Sequence, residues 1–84
     1  MEKRLGFVGI IIEDRKQQAP LVNGLLTEYG EIIVGRMGIP HVKHDHSVIV
    51  LIVNATTDEV GALSGRLGKI SGVSVKSALS KNSV

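Results

Sequence analysis

Ser47-Val48-Ile49-Val50-Leu51-Ile52-Val53 decides the fold of this chain. Six consecutive large apolar residues, most of them β-branched, predict a strand. A strand with one wet face alternates apolar with polar residues. This one does not, so both of its faces need cover, and a chain of 84 residues has few elements to supply it.

Upstream, residues 5–12 form a second nearly continuous apolar run (Phe7, Val8, Ile10, Ile11, Ile12), ended by Glu13-Asp14-Arg15. From residue 16 to 29 the period changes. Leu21, Val22, Leu25, Leu26 and Tyr29 make a helical stripe in which Pro20 fits only the first turn, and Gly30 is placed to stop the helix. A strand over 31–39 follows, ended by Pro40, and residues 41–46 connect it to the central run. Downstream, Thr56-Thr57-Asp58-Glu59 reads as a capping box opening a helix that buries Val60, Leu63, Leu67 and Ile70. Ser71-Gly72 turns the chain into a last strand over 73–79, and residues 80–84 read as a frayed tail.

The two halves repeat at an offset of 41 residues: Ile11 meets Ile52, Gly24 meets Gly65, Leu26 meets Leu67 and Val34 meets Val75. Strand-helix-strand taken twice, with right-handed crossovers, predicts an α+β fold: a ferredoxin-like βαββαβ sandwich. Its four-stranded antiparallel sheet has the first and third strands in the middle and both helices on one face. The two most apolar runs fall on those middle strands.

Residues 1–84 allow one domain, whose core, at 2% aromatic residues, must be built from Ile, Val and Leu. No apolar window approaches the roughly 18 residues of a membrane span. Met-Glu-Lys-Arg-Leu-Gly imitates the start of a signal peptide, but the run behind it breaks at Glu13 without a cleavage site, so export is not expected. No cysteine is present, which removes disulfides and thiolate ligands and predicts a cytoplasmic protein. A formal charge of +2, from mixed signs, argues for solubility more than for a nucleic-acid partner.

With both helices on one side, the other sheet face would show large aliphatic side chains to water, from Val8, Ile10, Ile12 or their alternates and from half of the central run. We take Val8, Ile10, Val48, Val50 and Ile52 as the expected interface of a homo-oligomer, a dimer or tetramer joined through that face. His41, His44 and His46 gather every histidine within six residues. On an extended segment His44 and His46 share a side, and His41 joins them across the hairpin. Such a set could hold a divalent transition metal, with Asp45 as a further ligand; the alternative is a solvated hairpin tip. Gly35-Arg36-Met37-Gly38 puts two glycines in a strand, which predicts a bulge or a close approach by a ligand, and Arg36 could pair an anion. Gly61, Gly65 and Gly68 on the second helix predict close packing inside the domain, or a ligand at that helix's start, where Asp58 and Glu59 already oppose an anion. Catalytic spacings, stacking aromatics on the sheet and a Cys-x-x-Cys are all missing, so an enzyme, an RNA reader and a copper carrier are not expected.

Gly9-Ile10-Ile11-Ile12-Glu13-Asp14-Arg15, then Glu28-Tyr29-Gly30-Glu31-Ile32-Ile33-Val34-Gly35-Arg36-Met37-Gly38-Ile39-Pro40, then residues 58–68 and Gly72-Val73-Ser74-Val75-Lys76, closely resemble a small family of regulators of the iron-only hydrogenase system. Gly-Arg-Met-Gly-Ile-Pro is the most specific part of the match. The resemblance implies a stand-alone ACT-like regulatory domain, similar to the C-terminal half of NikR-type nickel-responsive repressors. ACT domains bind small effectors between subunits, and the spacing of Asp58, Gly61 and Gly72 is similar to theirs. With the two glycines and Arg36 in the strand read above, this makes Gly35, Arg36, Met37, Gly38, Asp58 and Gly61 the expected ligand-binding residues. It implies a non-enzymatic, effector-sensing regulator. NikR-type repressors carry a DNA-binding arm ahead of this domain and a cysteine at their metal site. With a first strand beginning by Leu5 and no cysteine, direct DNA binding is not expected and no metal ligand is carried over.

Overall fold

The two aliphatic runs become adjacent central strands. In the computed structural model, which describes residues 2–82, β1 (Arg4–Ile12) pairs antiparallel with β3 (His46–Ala55). β2 (Ile33–Lys43) flanks β3 and β4 (Val73–Leu79) flanks β1, giving a four-stranded sheet of order β2-β3-β1-β4. Helix α1 (Arg15–Glu28) follows β1 and α2 (Thr57–Gly68) follows β3, so the chain has the predicted βαββαβ order. Of the expected tail, Ser83 and Val84 lie outside the described residues. No helix among the described residues is long and apolar enough to cross a membrane.

Register fixes which residues meet the helices. Val8 lies opposite Leu51 and Ile10 opposite Ile49, and all four are buried, with Ile12 and Val53. Val22 and Leu26 of α1 and Val60, Leu63 and Leu67 of α2 close the core from above. Two of the pairs related by the 41-residue offset share their burial: Leu26 and Leu67 are both in the core, and Ile11 and Ile52 are both about half exposed, at 47% and 46%; Val34 and Val75 differ, the first exposed and the second partly buried.

Local chemistry explains the ends of the elements. Asp14 caps α1 by accepting from the Gln17 amide at 3.4 Å. Pro20 sits in the second turn of α1 and not in the first. It forgoes a bond to the Lys16 carbonyl, and since both residues are exposed, water can satisfy that group. Gly30 does not end the helix in a left-handed conformation. Instead the chain tightens into a 3₁₀ turn, with the Ile32 amide donating to the Tyr29 carbonyl at 3.1 Å. β2 runs through Pro40 because an edge strand has an unpaired side where a missing N–H costs nothing. Gly72 is left-handed (φ 80°), and the Gln18 side chain packs against it. Gln18 accepts from the Asp14 amide at 2.9 Å and donates to the Ser71 carbonyl, tying the start of α1 to the turn before β4.

The predicted capping box forms on α2. The Glu59 amide donates to Thr56 Oγ1 at 3.1 Å, and Glu59 Oε1 accepts from the Thr56 amide at 2.8 Å. The bond from the Thr56 backbone, with Lys3 nearby, holds the Glu59 carboxyl below the usual carboxylate range. A bond from Arg66 does the same for Glu28 and joins the two helices. A carboxyl depressed in the folded state contributes stability that is present above its unfolded pKa and lost as pH falls through its folded one. Acid melting curves of Glu59→Gln should therefore fall less steeply than wild type below about pH 4.5, the ordinary glutamate value. Parallel curves would remove the assignment.

Candidate functional site

Two features emerge, one on each side of the sheet. On the helix side, α1 and the β2 edge leave a cleft of about 210 Å³. Alternation along β2 turns Arg36 and Gly38 toward α1, and Arg36 Nη2 donates to Asn23 Oδ1 at 3.1 Å. Arg15, the first residue of α1, lines the same cleft, and its amide donates to the Asp45 carbonyl at 3.0 Å. That bond ties the β2–β3 hairpin to the start of the helix. Ser47 closes the cleft from β3, and Ile12, Ala19 and Ile49 supply apolar wall. Neither guanidinium forms an ion pair: among the described residues those are Lys3–Glu59 and Arg66–Glu28.

The expected ligand-binding set is divided by this geometry. Arg36 and Gly38 line the cleft, while Gly35 and Met37, of opposite parity, sit on the far face opposite Ile52 and Val50. The bulge expected within Gly35–Gly38 is not there, since pairing runs regularly from Gly35–Ile52 to Gly38–Ile49; the irregularity falls just before, at Val34, between the Ile33–Val53 and Gly35–Ile52 pairs. Asp58 and Gly61 belong to α2, which packs on β4 at the other edge of the sheet, so one protomer does not bring them to the cleft. Gly61, Gly65 and Gly68 have nothing within 4 Å of where a side chain would begin. The expected close packing of these glycines inside the domain is therefore absent among the described residues; their helix face is open. Sequence reasoning missed Arg15, Asn23 and Ser47. Asp14 as a helix cap was the available signal for Arg15, since it fixes that residue in the first turn.

Beneath the sheet lies the second feature. Phe7, Gly9 and Ile11 of β1 face the same way as Ile52, Val50 and Val48 of β3. β2 adds Met37 and Ile39, so an apolar surface crosses three strands with Phe7 52% and Met37 65% exposed. Val48, Val50 and Ile52 are where the interface expectation put them. Val8 and Ile10 are not: both are wholly buried under the helices. The apolar run of β1 is continuous, so it carries no alternation to show which parity is inward, and the alternates Phe7 and Ile11 take the open face.

The histidines do not converge. His44 and Asp45 form the two-residue turn between the paired Lys43 and His46, so His44 and His46 do not share one extended segment. His41 and His44 both have positive φ, at 56° and 55°. Between Ile39–Val48 and Lys43–His46 the register slips, with two extra residues on β2, which displaces His41 from the other two. Among the described residues no three His, Asp or Glu side chains are grouped to hold a metal ion. A half-buried His46 leaves its Nδ1 without a hydrogen-bond partner.

A family model described as "TM1266-like: Iron-only hydrogenase system regulator, putative" matches residues 4–77. Among solved structures, the chain is similar to the protein TM1266 of Thermotoga maritima, at 41% identity and a TM-score of 0.89, covering 95% of this chain and 100% of that one. The ACT domain of a Chlorobium tepidum GTP pyrophosphokinase superposes with a TM-score of 0.76 at 20% identity, covering 90% and 99% of the two chains. A nitrogen regulatory PII-like protein of Thiomonas intermedia, bound to ADP, AMP and bicarbonate, gives 0.54 at 19% identity, covering 93% and 91%. These last two likenesses concern the fold. No curated protein matches the chain.

Proposed function

The chain belongs to the TM1266-like family of iron-only hydrogenase system regulators, and on that footing we propose that residues 1–84 form one non-enzymatic, effector-sensing ACT-like domain that works as a homo-oligomer in the cytoplasm. The observation that carries the proposal is the apolar open face. Full burial of a side chain the size of Ile52 or Phe7 is worth about 1.5–3 kcal/mol, and roughly half of that remains to be gained at each half-exposed position. A second copy laid face to face would collect it from both partners at once. Open-face position Gly9 leaves a hollow between Ile11, Val48 and Lys76 that a partner's side chain can enter. The effector would occupy the α1–β2 cleft, which the Arg15–Asp45 bond couples to the hairpin and so to the strands of the open face.

Light scattering after size exclusion tests the assembly. Wild type is expected at twice the 9.0 kDa chain mass or more, and Ile52→Asp at the chain mass with an unchanged circular-dichroism spectrum. A wild-type species of one chain mass at micromolar concentration would overturn the assembly. On the resemblance of the sequence to NikR-type repressors, we extend the proposal to a transcriptional role exercised through a partner. Direct DNA binding is not part of it, and a mobility shift that weakens steeply with salt would count against that exclusion. A metal centre on His41, His44 and His46 finds no support in the geometry of one protomer.

A further inference from the structure

We infer that the α1–β2 cleft takes a small organic acid: an anionic carboxylate on a short aliphatic body, without an ammonium group. This rests on reading that cleft as the effector site. Arg15 and Arg36 enter it from opposite sides, one from the first turn of a helix and one from an edge strand, and neither has an acidic partner among the described residues. Two uncompensated guanidiniums across one cleft favour an anion, and their forked geometry suits a carboxylate in particular. Asn23 already accepts from Arg36, which holds that guanidinium in place before any ligand arrives. Beside the charges, Ile12 and Ile49, whose side chains face the helices, and Ala19 of α1 offer only hydrocarbon. No carboxylate side chain lines the cleft, so an amino acid's ammonium would meet two cations and no anion to pair with. At about 210 Å³ the cleft lies below the range of drug-sized sites, roughly 300–1,000 Å³.

The test is an amide chemical-shift titration of the full chain with four probes: isovalerate, isovaleramide, L-leucine and inorganic phosphate. Isovalerate is expected to move the amides of Arg15, Asn23, Arg36 and Ser47. Isovaleramide, which keeps the shape and loses the charge, should bind about tenfold more weakly, as should leucine. Phosphate, which has charge and no body, should also fall behind. Arg36→Gln and Arg15→Gln should each weaken isovalerate by about tenfold and leave isovaleramide unchanged. Equal affinities for acid and amide would keep the cleft as a ligand site and overturn the anionic class. Phosphate matching isovalerate would overturn the aliphatic half, and leucine matching it would overturn the discrimination against ammonium. No shift from any probe would overturn the inference outright. The assembly is decided separately by light scattering, so a monomer that binds isovalerate, or an oligomer that does not, shows which of the two readings has failed.

Discussion

Ile10→Ala is expected to lose about 2–5 kcal/mol of folding free energy, while Ile11→Ala, one residue further, loses less than about 1 kcal/mol in the isolated protomer. Ile10 is wholly buried opposite Ile49, beneath the helices. Removing its side chain leaves a cavity that neighbouring strands, fixed by pairing on both sides, close only in part. Ile11 points the other way at 47% exposure, and truncating it opens no enclosed space. Urea denaturation at several protein concentrations separates the two effects. The Ile10→Ala loss should be the same at every concentration. Any Ile11→Ala loss beyond the protomer value should grow with concentration, because it comes from the interface and follows mass action. Equal, concentration-independent losses would mean that β1 is paired in the opposite register.

Gly6→Ala is expected to be the other large effect, at about 1–3 kcal/mol or more, with Gly9→Ala near neutral in the protomer. A Cβ at Gly6 would collide with the backbone carbonyl of Ala78 and lie 3.1 Å from the Leu79 Cα, both in the neighbouring strand. Backbone held by the β1–β4 ladder cannot move aside as the tip of a side chain can, so the last pairs of β4, Gly6–Leu79 among them, must open. At Gly9 the nearest atom to a new Cβ is the Lys76 carbonyl at 3.8 Å, an ordinary contact. Thermal melts and hydrogen exchange of the β4 amides measure the difference. A Gly6→Ala chain with wild-type melting and protected β4 amides would show that the approach is not tight.

Much of the fold was legible because its signals are local. Val48 to Val53 reads as a strand from composition, Thr56 and Glu59 announce their helix by spacing, and the 41-residue repeat orders the halves. The errors have an equally physical origin. A continuous apolar run has no period-two signal, so β1 could not reveal that Ile10 goes inward and Ile11 outward. Nor could the hairpin reveal that its turn falls at His44-Asp45, which scatters histidines that lie close in sequence.

The amino-acid sequence by itself determined the four strands and two helices, their order, and a sheet with apolar residues on both faces, because propensity, capping and burial pattern act over a few residues. Only the tertiary structure decided the parity of β1, the split of Gly35-Arg36-Met37-Gly38 between two faces, and the meeting of Arg15 with Arg36 across the cleft. Each of these depends on strand register and on where a helix lands upon its sheet. Register is set by pairing between residues distant in the chain, and no local pattern records it.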